Sequence, residues 1–360
     1  MIDVSKTGGL SRDQTGAGAL PSVLTLSDHW RRPGTLSSDA SGAKEWSYFC
    51  VLTDAFELLV NFSVTSELRD GAFVDVPRLV LMLRDATGWS GSVQTYDMTD
   101  CRARAGEVET RFGPHSLTYG DGGYHLVIDR AGRVDARLTL RPESRPALAR
   151  SVRLSHRGPM RWMVVPRLGA SGTLEVDGVQ HAVRSAPAYH DRNWGHFAWG
   201  GDFSWEWIVF LPIAPSVDWT LVYMQIADRG RNQLFSRSLM VWHRHAPTRV
   251  FHAADIHVSR SGLLRPERIA RIPAVAALAL QGLAADIPER VVLVAARGSD
   301  RWSLELDHDD YAQLCLPDDD GCGLTQLSEV RGRARVTGSI DGEAISFESF
   351  TLAEYNHAAA

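Results

Sequence analysis

The chain has 360 residues, 44% of them apolar and 22% charged, which suffices for two ordinary domains or one large one and excludes disordered, collagen-like and coiled-coil classes. Its 38 basic and 43 acidic side chains leave a formal charge of -5 with no long run of one sign, so no nucleic-acid track is present and the expected partner carries little charge. Cys50, Cys101, Cys315 and Cys322 form no CxxC pair, which excludes a zinc ribbon or a disulfide framework; they read as free thiols, with Cys315 and Cys322 near enough to pair only if exported.

The opening stretch, MIDVSKTGGLSRDQTGAGALPSV, lacks the basic-then-apolar order of a secretion signal, so cytoplasm is the default location. Residues 1–40 show no periodic apolar pattern and read as a loosely held, flexible arm. Strand signals begin at KEWSYFCVLTDAFELLVNFSVTSE, where Trp46, Tyr48, Phe62 and Val64 sit among β-favouring neighbours. They recur in RLVLMLRD, YHLVIDRAGRVDARLTLRP, ARSVRLSH and RWMVVPRLG, with RAGR as a hairpin turn, and resume after residue 203 through to the C-terminus. Only Ile272 to Ala285, rich in Ala and Leu between breakers, predicts a helix, and the apolar stretch Ile272 to Pro288 is too short and interrupted to cross a bilayer. Contact with a membrane surface is the most it would allow. The pattern predicts an all-β chain of antiparallel barrel or sandwich type with very little helix, in two barrel-like halves over 41–190 and 191–360.

The densest chemistry lies in YHDRNWG, residues 189–195, followed by FSWEW at 203–207. Trp194, Trp199, Trp205, Trp207 and Trp219 fall within a short span, and alternation along a strand puts Phe203, Trp205 and Trp207 on one face with Ser204 and Glu206 on the other. Such a wall is either barrel core or one side of a pocket. His190, Asp191, Arg192 and Asn193, in a segment ending at glycine, read as a turn at a barrel mouth. Asp191 either accepts backbone amides there or, buried against rings, keeps its proton at neutral pH and delivers it to an alkene whose cation the ring faces stabilise. His190 is a ligand, a relay or a packed ring. No third ligand stands near the His190–Asp191 pair, the run at 307–311 reads as a solvated hairpin, and PDDDG at 317–321 lacks the calcium-loop pattern, so neither metal nor cofactor is expected. GxSxG, P-loop, GxGxxG and HExxH motifs are missing, which removes serine-hydrolase and nucleotide-dependent readings.

KEWSYFCVL at 44–52, RWMVVPRLGASGTLEVDGVQHAV at 161–183 and APAYHDRNWGHFAWGGDFSWEWIVF at 186–210 resemble the carotenoid 1,2-hydratase (hydroxyneurosporene synthase) superfamily, with its Tyr-His-Asp-x-Asn-Trp-Gly signature. The resemblance spans residues 40 to 355 in layout and is close over the central fifty. It implies two tandem lipocalin-like barrels, a pocket for a greasy substrate, and either hydration of a terminal alkene or, as in Diels-Alderase and other cyclase relatives, ring closure. It also implies that Asp191 is the proton donor, that Trp194 is the signature ring and that Glu45 and Trp46 form the early Glu-Trp motif. Ser47 and Arg192 depart from the pattern, and a guanidinium held against Asp191 would lower its pKa and oppose proton donation.

Three functions follow as expectations. The first is an acid-catalysed hydratase or cyclase of an apolar polyene or terpenoid, with Asp191 as acid, His190 or Tyr189 tuning it, and Trp194, Trp205 and Trp207 lining the pocket. The second is a pericyclase in which Asn193, Tyr189 or Gln225 hydrogen-bonds a substrate carbonyl. The third is a non-catalytic carrier of lipophiles. The pocket lies within one barrel or between the two; the sequence does not fix the oligomeric state.

Overall fold

The computed structural model describes residues 28–31, 43–103, 106–155, 158–197, 203–265, 269–274, 286–317 and 324–357. The first sheet is built from β1 (Ala43–Leu52), β2 (Glu57–Arg69), β3 (Ala72–Asp85), β4 (Gly88–Thr95), β5 (Cys101–Ala103), β6 (Glu109–Phe112), β7 (His115–Gly120), β8 (Gly123–Ala131), β9 (Val134–Pro142), β10 (Ala147–Ser155), β11 (Gly158–Val176) and β12 (Val179–His196). The second contains β13 (Ser204–Pro212), β14 (Trp219–Ala227), β15 (Leu234–His243), β16 (Ala246–His252), β17 (Ile256–Ser261), β18 (Ala270–Ile272), β19 (Arg290–Arg297), β20 (Asp300–Pro317), β21 (Leu324–Ile340) and β22 (Glu343–His357). Both sheets curl into half-barrels, giving the all-β, two-barrel lipocalin-like architecture, and the pairings are antiparallel except for β18 with β20.

Local chemistry sets the hairpins. Asp70-Gly71, Asp121-Gly122, Asp177-Gly178 and Asp341-Gly342 each connect sequential strands, with φ of 50–51° at the aspartates and 76–84° at the glycines. Two successive positive φ angles define the type I′ turn, whose twist matches that of the strands, and Asp-Gly tolerates it best. The RAGR turn joins β8 to β9, with Gly132 at φ 62°.

Three buried clusters result. One fills the first half-barrel around Phe49, Phe62, Leu126 and Val165. Another fills the second around Tyr223, Trp302, Leu304 and Phe347. The third lies between the sheets and draws Tyr48, Trp162 and Tyr189 from the first and Trp205, Trp207 and Leu352 from the second. Strands β1 and β13 are buried along their whole length, because one face packs inside a half-barrel and the other against the opposite sheet.

Several expectations change. Residues 189–195 lie inside β12 rather than in a turn, because β1 and β11 pair with them on both sides. The expected division at residue 190 therefore falls within β12, which ends the first sheet at His196, and the second sheet begins with β13 at Ser204. The 307–311 run is part of β20, bulged between His308 and Asp310, with His308 and Tyr311 buried. Of the predicted helix, Ile272 ends β18 and residues 275–285 lie outside the described residues, as does Cys322; Cys50, Cys101 and Cys315 are free thiols. No helix among the described residues is long and apolar enough to cross a membrane.

The arm expected over 1–40 is not loose at residues 28–31. Asp28 and Trp30 are completely buried in the first half-barrel. Asp28 accepts hydrogen bonds from Tyr124 Oη (2.8 Å) and His190 Nε2 (3.0 Å), and Arg192 reaches it at 3.5 Å. Arg192 also donates to Glu45 from Nη2 (2.8 Å) and Nε (3.1 Å) and to Ser47 (2.7 Å), while its guanidinium lies over the Trp30 ring. Burial pushes the Asp28 carboxyl up, but His190 and Arg192 together outweigh it and hold the group below its usual value. Removing one member of such a buried ion network strands the others without water. Arg192→Leu should therefore lower unfolding free energy by roughly 3–5 kcal/mol, measured by urea denaturation.

Candidate functional site

Strand alternation divides the YHDRNWG segment between two compartments. His190 and Arg192 enter the first half-barrel, while Tyr189, Asp191 and Asn193 point into the space between the sheets. Arg192 is therefore engaged by Glu45 and Asp28 on the face of β12 opposite Asp191, and the side-by-side cation does not oppose a protonated acid.

Asp191 is 7% exposed and is surrounded by donors. Tyr189 Oη donates to Oδ2 at 2.9 Å, Asn193 Nδ2 donates to Oδ1 at 3.0 Å, and the Trp162 indole also hydrogen-bonds the carboxyl. Trp207 Nε1 donates in turn to Tyr189 Oη at 3.1 Å, which fixes the phenol. Donors of this kind favour the carboxylate, yet burial is the larger influence and raises the Asp191 pKa to about 7, with the Glu354 charge adding to the rise. The group exchanges its proton near neutrality.

The facing wall comes from the second sheet. Glu329 on β21 and Glu354 on β22 are direct cross-strand partners, the first buried and the second half-buried on the cleft wall, and they are hydrogen-bonded to each other. Tyr48 Oη donates to Glu329 at 3.2 Å, and the Trp205 indole N–H donates to Glu354. Burial raises both carboxyls above their usual range, and the charges of Glu354 and Asp191 further oppose ionisation of Glu329. Like charges directly opposite in a sheet repel, so one shared proton is the low-energy state.

Between these walls lies a cleft of about 370 Å³, lined by Trp46, Tyr48, Trp162, Asp191, Asn193 and Glu354 together with further aromatic and methionine side chains. A second hollow of about 610 Å³ adjoins it, sharing Trp46, Trp205 and Glu354 and continuing past Asn61, Arg78 and Leu316. Tyr48 and Tyr189 meet Trp207 with ring centroids 5.8 and 4.7 Å apart, and Phe203 stacks on Trp205 at 5.3 Å. The carbonyl oxygen of Asn193 is buried without a partner and belongs to a residue of the cleft lining, an acceptor left for a ligand or water.

Of the residues singled out in the sequence, Asp191, Asn193, Trp46, Trp205 and Trp207 meet in the cleft, and Tyr189 stands directly behind Asp191. The others lie elsewhere. His190 donates to the Tyr48 carbonyl (2.9 Å) and stacks on Phe49 inside the first half-barrel. Glu45 serves the Arg192 network, and Trp194 carries the Arg31 guanidinium 3.5 Å above its ring. Gln225 accepts from Arg237 and Tyr223 inside the second half-barrel, where Trp219 also packs. Trp199 lies outside the described residues. Tyr48, Trp162, Glu329 and Glu354 were not singled out. A signal for Glu354 exists: in SFTLAEYNH it shares parity with Phe350 and Leu352, an acid at a core position. No group of three His, Cys, Asp or Glu among the described residues is arranged to hold a metal ion.

No family model matches the sequence, and no curated protein matches it. The fold does have solved counterparts. A protein assigned as AttH from Nitrosomonas europaea superposes with a TM-score of 0.62 at 16% identity, covering 93% of this chain and 98% of its own. Kievitone hydratase from Nectria haematococca gives 0.55 at 13% identity over 91% and 94%. CghA bound to Sch210972 gives 0.54 at 14% identity over 89% of each chain. Across nearly its whole length this chain has the two-domain, lipocalin-like fold of these structures.

Proposed function

We propose that the protein is an enzyme that protonates an alkene of an apolar polyene or terpenoid in the cleft between its sheets, and that water or an internal alkene then captures the cation. The observation that carries this is Asp191, a carboxyl with a pKa of about 7 set in a ring-walled, water-poor space. Tyr189, Asn193 and Trp162 orient the acid, the faces of Trp205, Trp207 and Tyr48 shelter positive charge, and exclusion of bulk water delays quenching of the cation. The existence of a hydratase on the same fold is consistent with this reading. The pericyclase alternative draws less support: Asn193 and Tyr189 spend their donors on Asp191, and Gln225 lies in the other compartment. The free thiols of Cys50, Cys101 and Cys315 make a reducing, intracellular setting part of the same proposal.

The test is incubation of the purified protein with lycopene, an acyclic polyene with trisubstituted terminal alkenes, in oxygen-18 water. The wild type should form a labelled alcohol or a cyclised isomer, and Asp191→Asn should lower the rate by about 100-fold or more. A variant that keeps its turnover would leave conformational catalysis as the better account, and recovery of unaltered lycopene with the wild type would favour a carrier.

Because the acid must be protonated, the rate should fall as pH rises through the Asp191 pKa of about 7. Stability follows the same group. Between the ordinary carboxylate value of 3.8 and about 7 the folded protein binds more protons than the unfolded chain, so this contribution to stability falls as pH rises across that window and is level above it. Urea unfolding at pH 5 and pH 8 should show a smaller loss for Asp191→Asn than for the wild type.

A further inference from the structure

An acid that starts a reaction leaves a proton to be collected at its end. When water adds to a cation, the new C–O bond carries a surplus proton; when a ring closes, a C–H bond beside the cation must release one. The geometry points to Glu354, hydrogen-bonded to Glu329 across the β21–β22 ladder, as the proton acceptor that completes the reaction Asp191 begins; this rests on the acid role proposed for Asp191.

Three observations carry it. Glu354 lines the same cleft as Asp191 but comes from the other sheet, so an alkene lying between them meets an acid on one side and this carboxyl on the other. Its donors differ from those of Glu329: the Trp205 indole, which can only donate, points at Glu354, whereas Glu329 meets the Tyr48 hydroxyl, which can also accept. That difference favours Glu329 as the holder of the shared proton and Glu354 as the acceptor. Finally, no fold-level need explains two acids in register on a buried ladder, where an apolar pair would pack without repulsion. Other titratable groups around the pair are Tyr48, Asp191 and the Cys50 thiol, with Arg78 and Glu67, ion-paired to each other, on the adjoining hollow that Glu354 also lines, while Arg331, on the same face of β21, is ion-paired with Glu57.

The step balances. The alkene π pair takes the Asp191 proton to form a C–H bond, leaving a carboxylate on Asp191 and a cation at the more substituted carbon. A water lone pair forms the C–O bond, and its surplus proton passes to Glu354, so that Glu329 and Glu354 now hold two protons. One returns to Asp191 through solvent before the next turnover, and the sum is alkene plus water giving alcohol. For ring closure, Glu354 removes a proton from the carbon next to the cation, and the sum is an isomerisation.

Two measurements on the intact chain test it. Infrared difference spectra at pH 7 should show un-ionised carboxyl bands of which Asp191→Asn removes one component and Glu329→Gln another. N,N-dimethylgeranylamine, an isoprenoid ammonium at that pH, serves as a stable mimic of the cation, with binding read from tryptophan fluorescence. Glu354→Gln should weaken it by about tenfold or more, the scale of a lost charge contact in a water-poor site. Asp191→Asn should bind within a factor of a few of wild type, and Glu354→Asp should recover part of the affinity. Since removing one of two repelling acids relieves strain, Glu354→Gln and Glu329→Gln should melt no lower than the wild type. Unchanged amine binding in Glu354→Gln, no binding by the wild type, or an infrared spectrum unaltered by Glu329→Gln would each overturn the role of Glu354. If Asp191→Asn also keeps full turnover of lycopene, the acid reading falls with it; if that variant is inactive, only the acceptor is lost.

Discussion

The organisation of the whole molecule rests on the two-residue period of β12, a strand that has no solvent face in its second half. Each side chain from Tyr189 to Asn193 must enter one dry compartment or the other, and parity decides which. The cationic and ring-nitrogen members, His190 and Arg192, fall on the side of Asp28 and Glu45. The lone carboxyl, Asp191, falls on the side of the indoles. A slip of one residue would exchange the two sets, leaving a guanidinium among rings and a carboxylate beside two others. Register on both flanks, against β1 and β11, prevents it.

This sorting accounts for the electrostatics. In the first half-barrel, acids and bases satisfy each other, and Asp28 is held ionised despite complete burial. In the cleft, Asp191, Glu329 and Glu354 meet phenol, indole and amide donors, and burial shifts all three toward their protonated forms. The cleft is thus a place where folding stability is reduced in favour of protons held near neutral pH. Departures from an all-apolar core of this kind mark functional sites.

Much of this could be read from the residues themselves. Alternation marks the strands, RAGR marks the β8–β9 hairpin, and the shared face of Phe203, Trp205 and Trp207 follows from parity. What alternation could not reveal was that both faces of β12 are interior. A Gly-terminated, charge-rich heptad ordinarily marks a turn, and only the presence of β1 and β11 on either flank makes it a central strand. In the same way Gln225, expected to meet a substrate carbonyl, and Glu45, expected from its motif beside Trp46, are sent by their parity into the half-barrels. Glu329 and Glu354 are distant in sequence from Asp191, and their meeting with it depends on how two sheets face each other, which no local pattern encodes.

Asp28 and Trp30 give the architecture a further meaning. In a barrel that carries its cargo inside, the central axis must stay open; here a short piece of the chain's own N-terminal region is inserted among Tyr124, His190 and Arg192 instead. The hollow lies instead at the seam where the two sheets face each other, and its lining is drawn from both. On the function proposed above, neither half by itself holds a complete reaction vessel, since Asp191 belongs to one sheet and Glu354 to the other.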